Sequence, residues 1–389
     1  MAKNNLRETL ERAEAPAPEN DSKSDSPGGM KGGWGYVVKR GFSEFSQDGC
    51  TDLAAALTYF TVLSIFPGLL AVISLLGVFG QGEATTSAIT GFLEGRVPPE
   101  LNSLLAGPIT NLTSSTGAGV IALIIGVGSG LWTASGYVGA FSRALNRIYE
   151  VEEGRGFIKL KGTMLITTLI VVITVVLIFL MLLLSGGIAR TLGDLIGLGE
   201  TAVTVWNWAK LPVILILLVL LVAVLYYATP NVRQPKFRWV SPGAVFAILG
   251  TIVAAAGFSI YATQFASQTS TYGVIGGVIL GLLGVWIFNN VLLLGAEIDA
   301  EVERTRELKA GIAAEDTLQL PPRDVGTLVN NIEKQDKLIE QGRGLRLESS
   351  TGLDYSQGGK DSGAEAQAKV ANFDEDAQEI LDEQKQRGL

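Results

Sequence analysis

Histidine is absent from this 389-residue chain, and Cys50 is its single cysteine. Without histidine the chain can form neither a Ser-His-Asp triad nor a zinc site with histidine ligands. A single cysteine has no partner in its own chain, so an intramolecular disulfide is excluded. We therefore expect a protein that is not an enzyme and that has no catalytic residue, no metal site and no cofactor.

Charged residues are also scarce, at 17% of the chain, whereas hydrophobic residues make up 48%. Soluble domains average about 25% charged residues, so the deficit indicates a protein whose solvent is partly lipid. The net charge of −8 is local, because residues 310–389 contain nine basic and sixteen acidic residues. The rest of the chain is nearly neutral and offers no basic domain for nucleic acid, which we exclude as a partner.

Six apolar segments are each long enough to cross a bilayer as a helix. About 20 residues, rising 1.5 Å each, cover the roughly 30 Å of hydrocarbon. We predict an all-α polytopic membrane protein, a bundle of six transmembrane helices with interfacial helices at the membrane surface. The predicted spans are residues 53–79, 120–141, 164–184, 209–227, 244–265 and 274–296.

Two further segments have the pattern of helices that lie in the membrane surface. Residues 32–48 interleave aromatic and charged side chains, as an amphipathic interfacial helix does. Residues 85–113 are moderately apolar but contain several glycines and prolines, which favours short interfacial helices over another crossing. The chain then has three predicted parts: a disordered cytoplasmic arm over 1–30, the transmembrane domain over 31–309, and an acidic, mostly disordered cytoplasmic tail over 310–389.

The distribution of basic residues predicts the side of the membrane on which the termini lie. Fourteen lysines and arginines occupy the terminal flanks and the alternate loops on one side, whereas three occupy the loops on the other side. The positive-inside rule places the more basic side, with both termini, in the cytoplasm. This arrangement needs an even number of spans, and six satisfies it.

Polar residues close to the apolar segments are few, and each is a candidate for function because ionisable groups are costly in lipid. We expect Asp52 and Glu297 to pair with Arg143 and Arg147 across helix ends, since buried charges need partners. The candidate gate or solute-binding residues are Asp52, Arg143, Asn146, Arg147, Asn290 and Glu297.

This cluster has two interpretations at the level of sequence. Its residues form a cytoplasmic gate or the mouth of a solute-binding site, or the charges reach towards lipid headgroups and hold the bundle together. Glycines of the second and sixth spans have two interpretations as well, close helix packing or a pore. Pro67 and Pro230 are the predicted helix breaks, and broken helices frequently frame transporter sites.

A recognisable pattern is carried by four segments: 52–67 (DLAAALTYFTVLSIFP), 143–155 (RALNRIYEVEEGR), 225–231 (LYYATPN) and 272–304, which begins YGVIGG and ends LGAEIDAEVER. In this order they resemble the YihY/BrkB family of bacterial inner-membrane proteins. The resemblance implies a six-span protein of the plasma (inner) membrane of a bacterium, with no agreed activity. It also brings an older label, ribonuclease BN, which we interpret as a misassignment because a zinc nuclease needs a histidine-rich motif.

Our leading hypothesis is a transporter or permease-like bundle for an unidentified solute or lipid. Short loops, helix breakers and polar residues gathered at one mouth support it. The alternative is a structural or scaffolding membrane protein that recruits a cytoplasmic partner through its acidic tail. Membrane lipids are expected partners in both cases, and the glycine-rich helix faces are compatible with a homo-oligomer.

Overall fold

The structure, a computed structural model, describes residues 9, 11–13, 33–79, 116–183, 200–234, 240–266 and 273–351. Eight long α-helices form within these ranges and confirm the prediction of an all-α membrane protein. Their bounds are α1 Trp34–Gln47, α2 Cys50–Phe79, α3 Thr116–Ile148, α4 Phe157–Leu183, α5 Glu200–Ala228, α6 Pro242–Ala266, α7 Gly273–Lys309 and α8 Leu328–Thr351.

Helices α2 to α7 overlap the six predicted spans in order. Among the described residues, four helices are long and apolar enough to cross a membrane, namely α4 to α7, and Cys50–Ser64 of α2 is a shorter apolar helix. The shortest of the four, α6, has 25 residues and is therefore about 37 Å long, more than the roughly 30 Å of hydrocarbon. The count of six crossings stays a prediction.

Helix α1 is the amphipathic helix predicted over residues 32–48. Its Val37 packs against Ile298 and Val302 of α7, and Gly41 also faces Ile298. The other predicted interfacial segment, residues 85–113, lies outside the described residues. Four large apolar side chains of α1 are exposed, as expected for a helix at a membrane surface: Trp34, Tyr36, Val38 and Phe42.

Helices α6 and α7 approach each other closely at a pair of glycines. A Cβ atom added at Gly243 would lie 2.0 Å from the carbonyl oxygen of Gly295, which no side-chain rotation could relieve. Small residues allow such crossings in membrane bundles, in agreement with the packing interpretation of the glycines. Two other glycines of the sixth predicted span do not contribute to this crossing, since a Cβ atom at Gly277 or Gly281 would meet no atom within 4 Å.

The C-terminus of α3 directs the chain into a polar loop. Glu150 has a φ of +54°, an uncommon conformation for a residue other than glycine. The Val151 N–H donates to the Asn146 carbonyl (2.8 Å), and the Glu150 N–H donates to the Arg147 carbonyl (3.0 Å). These two hydrogen bonds form a Schellman motif that ends the helix. The loop that follows brings its polar residues against the bundle.

Residues 310–328, which we call the strap, pack with the transmembrane domain. The chain divides into two compact units, residues 1–328 and 329–389, and the strap belongs to the first. The Thr327 N–H donates to the Gly154 carbonyl (3.0 Å). A Cβ atom at Gly154 would lie 1.9 Å from a strap carbonyl oxygen, so the two segments are in close contact.

The second unit contains nearly all of α8, a polar helix that ends at Thr351. Residues 352–389 of the predicted tail lie outside the described residues. Most of the predicted N-terminal arm does so as well. Within the arm, the Arg12 guanidinium donates to the backbone carbonyls of Leu318 and Glu150. The predicted domain boundaries stay predictions, but the strap continues the packed unit beyond residue 309.

Candidate functional site

Glu297 of α7 is the most deeply buried of the predicted gate residues, with 1% of its surface exposed. Its Oε1 accepts a hydrogen bond from the Cys50 thiol of α2 at 3.3 Å. Among the described residues, no lysine or arginine forms an ion pair with it. A carboxyl group held between two membrane helices without a cation is costly and marks a position where function is expected.

The predicted ion pairs of Asp52 and Glu297 with Arg143 and Arg147 are wrong. Arg147 pairs instead with Asp48, with 3.6 Å between Nε and Oδ1. Asp52 and Arg143 are exposed. Burial raises the pKa of Asp48 from 3.8 to about 6, although Arg147 acts against the shift. Sequence spacing shows which residues share a face of one helix, but it does not show how neighbouring helices are rotated.

Asn289, rather than the predicted Asn290, joins the helices. The Asn290 side chain donates to the Trp286 carbonyl of its own helix (2.8 Å). Asn289 is buried; its Nδ2 donates to Thr58 Oγ1 of α2 (3.2 Å), and its Oδ1 accepts from the Tyr137 hydroxyl of α3 (3.0 Å). Because one residue turns a helix by about 100°, two adjacent asparagines cannot both face the same neighbours.

Cys50–Glu297 and Thr58–Asn289 form two polar contacts between α2 and α7, which we call the rungs. Their members are eight residues apart on each helix, in opposite sequence directions, so the helices are antiparallel. Eight residues correspond to about 12 Å along a helix axis. The rungs therefore place polar groups at two depths of the same interface.

A buried guanidinium connects α7 to the loop after α3 and to the strap. Arg304 donates to Glu301 (2.9 Å), to Glu150 (2.6 Å) and to the Ala314 carbonyl (3.0 Å). The other oxygen of Glu301 lies 3.5 Å from Arg40 Nε of α1. The charge of each buried group is thus opposed by a partner, as stability in a poorly solvated place requires.

Asn146, a predicted site residue, pairs with an asparagine that the sequence did not single out. The Asn231 N–H donates to Asn146 Oδ1 (2.7 Å), and Asn146 Nδ2 donates to Glu153 (3.0 Å). Asn231 Nδ2 donates to the carbonyls of Asp324 (2.8 Å) and Glu152 (3.0 Å), and Asn231 Oδ1 accepts from the Asp324 N–H (3.0 Å). We call this network the clasp, since it joins two loops to the strap.

Arg155 is a second residue that sequence reasoning used only as a basic loop residue. Its side chain is buried and donates to Glu153 (2.7 Å), to the Thr229 carbonyl (2.8 Å) and to Ser142 Oγ (3.1 Å). The sequence did contain a hint that Arg155 and Asn231 matter, because each lies at the end of a segment that carries the family resemblance. Arg155 ends the segment 143–155, and Asn231 ends the segment 225–231.

The predicted helix breaks differ from each other. Helix α2 passes through Pro67 without ending there. Helix α5 ends at Ala228, and Pro230 lies two residues beyond it, as predicted. A proline that was not predicted as a break, Pro212, lies inside α5. Pro230 is therefore the break that shapes the site, because it directs the chain into the clasp.

A family model described as Virulence factor BrkB matches residues 41–318, more than half of the chain. The chain belongs to this family. Among BrkB-family relatives, the ribonuclease-like protein YfkH of Bacillus subtilis (strain 168) is 31% identical over 274 residues, 70% of this chain and 96% of YfkH. A UPF0761 membrane protein of Aeromonas salmonicida (strain A449) is 28% identical, over 68% of this chain and 88% of the relative. No solved structure matches the chain significantly.

The BrkB-family match includes every predicted gate residue and both rungs. It ends at Leu318, within the strap, so the early part of the strap is part of the family domain and α8 is not. The chain is therefore a membrane protein of the BrkB family. The names of its relatives do not assign it an activity.

Proposed function

We propose that this BrkB-family chain is a transporter or permease-like bundle for a small solute or lipid. The supporting observation is a set of polar groups between α2 and α7, one of which is hydrogen-bonded to the wall of a cavity of about 450 Å³. Glu297 and Asn289 lie at two depths of this interface, and Asn289 accepts a hydrogen bond from Tyr137, which belongs to the cavity wall. Small-molecule sites have volumes of about 300–1,000 Å³, so the cavity is of a suitable size.

The energetics of the rungs favour function over packing. Apolar side chains in place of all members of a rung would fill the same interface without desolvating polar groups, and such paired replacements are often nearly neutral. Polar groups kept at such positions mark substrate or ion pathways in membrane proteins. We assign Glu297 and Asn146 to a cytoplasmic gate, with Arg147, Asp52 and Arg143 at its mouth.

We also propose that the protein lies in the inner membrane with both termini in the cytoplasm. The antiparallel packing of α2 and α7 supports an even number of spans, since these helices contain the first and last predicted spans. Basic side chains gather where the strap meets the loop after α3, including Arg155 and Lys159, which pairs with Asp324. Basic residues favour the cytoplasmic side.

The test is a thermal-shift screen of the detergent-purified full chain against lipids, lipid headgroups, ions and small metabolites. A ligand at a hundredfold excess over its Kd should stabilise the protein by about 2.7 kcal/mol. We expect a reproducible ligand whose stabilisation is weakened by Glu297→Gln and by Asn289→Leu, but not by Asn290→Leu, which changes the neighbouring residue outside the rung. A broad panel without any ligand would count against transport.

The acidic tail supports a second candidate function, recruitment of a cytoplasmic partner. Residues 310–389 hold sixteen acidic residues against nine basic ones. A deletion that separates the two functions should begin after Leu328, because a deletion after Lys309 would also remove the strap and its contacts with the bundle. If the shortened protein inserts normally into the membrane but no longer supports the cellular function of the full chain, the result would favour a scaffold. Retention of that function would favour a transporter.

A further inference from the structure

The cavity whose wall includes Tyr137 lies among five helices, α2, α3, α4, α5 and α7. Its wall is built almost entirely from aliphatic and aromatic side chains, most of them on α4 and α7. Valine side chains of α4 form one side, and α7 contributes the other. The residues that define its shape include Ala134, Val138, Val172, Leu221, Phe288 and Leu292.

Every hydroxyl hydrogen in the described wall is already donated within the protein. The hydroxyls of Thr61, Ser64 and Thr168 donate to the carbonyls four residues earlier in their own helices, at 2.9, 2.7 and 2.6 Å. The Tyr137 hydroxyl donates to Asn289 (3.0 Å). No charged side chain lines the described wall. The cavity therefore offers a ligand no hydrogen-bond donor and no charge.

This chemistry restricts the occupant. An ion or a sugar would lose its hydration on entry and find no equivalent partners, which is unfavourable in a poorly polar environment. A hydrocarbon chain has no favourable hydration to lose, and it gains van der Waals contacts with the wall. The cavity also opens towards the outside of the bundle, where Val175, Val176 and Phe288 of its lining are 48%, 40% and 36% exposed.

We propose that this cavity binds one acyl chain of a membrane lipid. This proposal rests on the proposed transport function and names a lipid as the substrate class. The surroundings of α4 and α7 in a membrane are lipid, so the occupant reaches the opening from the bilayer and not from water. The hydrogen bond between Tyr137 and Asn289 then lies beside the bound chain.

The test uses the full chain in nanodiscs that contain phosphatidylcholine with a diazirine near the end of one acyl chain. After illumination, mass spectrometry locates the adducts. We expect adducts at Val138 and Val172 in excess over Ile252, an exposed residue on α6. Ala134→Phe fills the cavity and should reduce these adducts about tenfold, as a steric penalty of the overpacking kind would. Ala256→Phe, at an exposed alanine of α6, should leave them unchanged.

A second pair of variants covers the case in which Ala134→Phe fails to fold. Val172→Phe fills the cavity from α4, and Val253→Phe makes the same change at an exposed position of α6. Equal labelling of the wall and of Ile252, or wall labelling that neither filling variant reduces, would overturn the proposal.

The lipid site and the transport function fail in different ways. Crossing of the bilayer is measured separately, with a headgroup-labelled lipid in liposomes that contain the full chain. Adducts in the cavity without such movement would retain the lipid site and count against transport. Movement without adducts in the cavity would retain transport and overturn the site.

Discussion

Replacing Gly295 with alanine should destabilise the protein by about 2–3 kcal/mol. The added methyl group would lie 2.6 Å from Tyr226 Oη, 2.7 Å from Ala247 Cβ and 2.7 Å from the Gly243 carbonyl oxygen. The last two atoms cannot rotate away, so the helices must separate. Overpacking of this kind costs about 1–3 kcal/mol. Movement of Tyr226 would also weaken the hydrogen bond from its hydroxyl to the Leu292 carbonyl, worth about 1 kcal/mol.

The assay is thermal melting of the detergent-purified full chain, followed by intrinsic tryptophan fluorescence. A loss of this size should lower the Tm by roughly 3–4 °C in a chain of this length. Gly281→Ala is a matched control on the same helix, since its Cβ would meet no atom within 4 Å. Alanine is a better helix former than glycine by about 1 kcal/mol, so this variant should melt at the same temperature or slightly higher. Equal shifts in the two variants, or no shift in Gly295→Ala, would refute the close crossing of α6 and α7.

Three further perturbations test the loops and the strap. Burial raises the pKa of Asp48 from 3.8 to about 6, so the folded state binds this proton more tightly than the unfolded state does. The free energy of unfolding of the wild type, compared with that of Asp48→Asn, should therefore fall by up to about 2 kcal/mol as the pH rises from 4 to 6, and should fall no further above pH 7. Thermal melting of both proteins across this pH range measures the difference. Gly154→Ala would place a Cβ atom 1.9 Å from the Asp324 carbonyl oxygen and should make the strap more sensitive to limited proteolysis; cleavage at the wild-type rate would contradict this contact. Asn231→Ala removes the side-chain hydrogen bonds to Glu152 and Asp324 and should lower stability by about 2–3 kcal/mol. Asn231→Asp keeps the acceptor oxygen but turns a carboxylate oxygen towards the two carbonyls, so it should lose at least as much; equal melting of all three proteins would show that the clasp adds no stability.

The helices were predictable because each is long and apolar. A segment such as 164–184 has too few polar side chains to be stable in water, and the helix is the one local structure that satisfies its backbone in lipid. The amphipathic segment 32–48 was predictable for a related reason, the alternation of aromatic and charged residues. Helix ends were less predictable: α4 begins at Phe157 and α7 continues to Lys309, beyond the apolar part of each sequence.

The sequence predicted which residues belong to the candidate site better than it predicted which residues contact one another. Glu297 and Asn146 are buried polar residues, as expected of candidate gate residues, but their partners are Cys50 and Asn231. The choice of Asn290 over Asn289 failed for a similar reason, because two adjacent asparagines give the sequence no signal of which one faces the neighbouring helix.

The amino-acid sequence by itself determined that this chain is helical and membrane-embedded, since these properties depend on the local density of apolar residues and on a backbone that must bond to itself in lipid. It also excluded histidine chemistry and an intramolecular disulfide by composition alone. Only the tertiary structure decided which polar groups meet. The rungs, the clasp and the cavity each depend on the rotation and spacing of helices far apart in sequence. The close packing of α6 and α7 at Gly243 and Gly295 is likewise a tertiary contact.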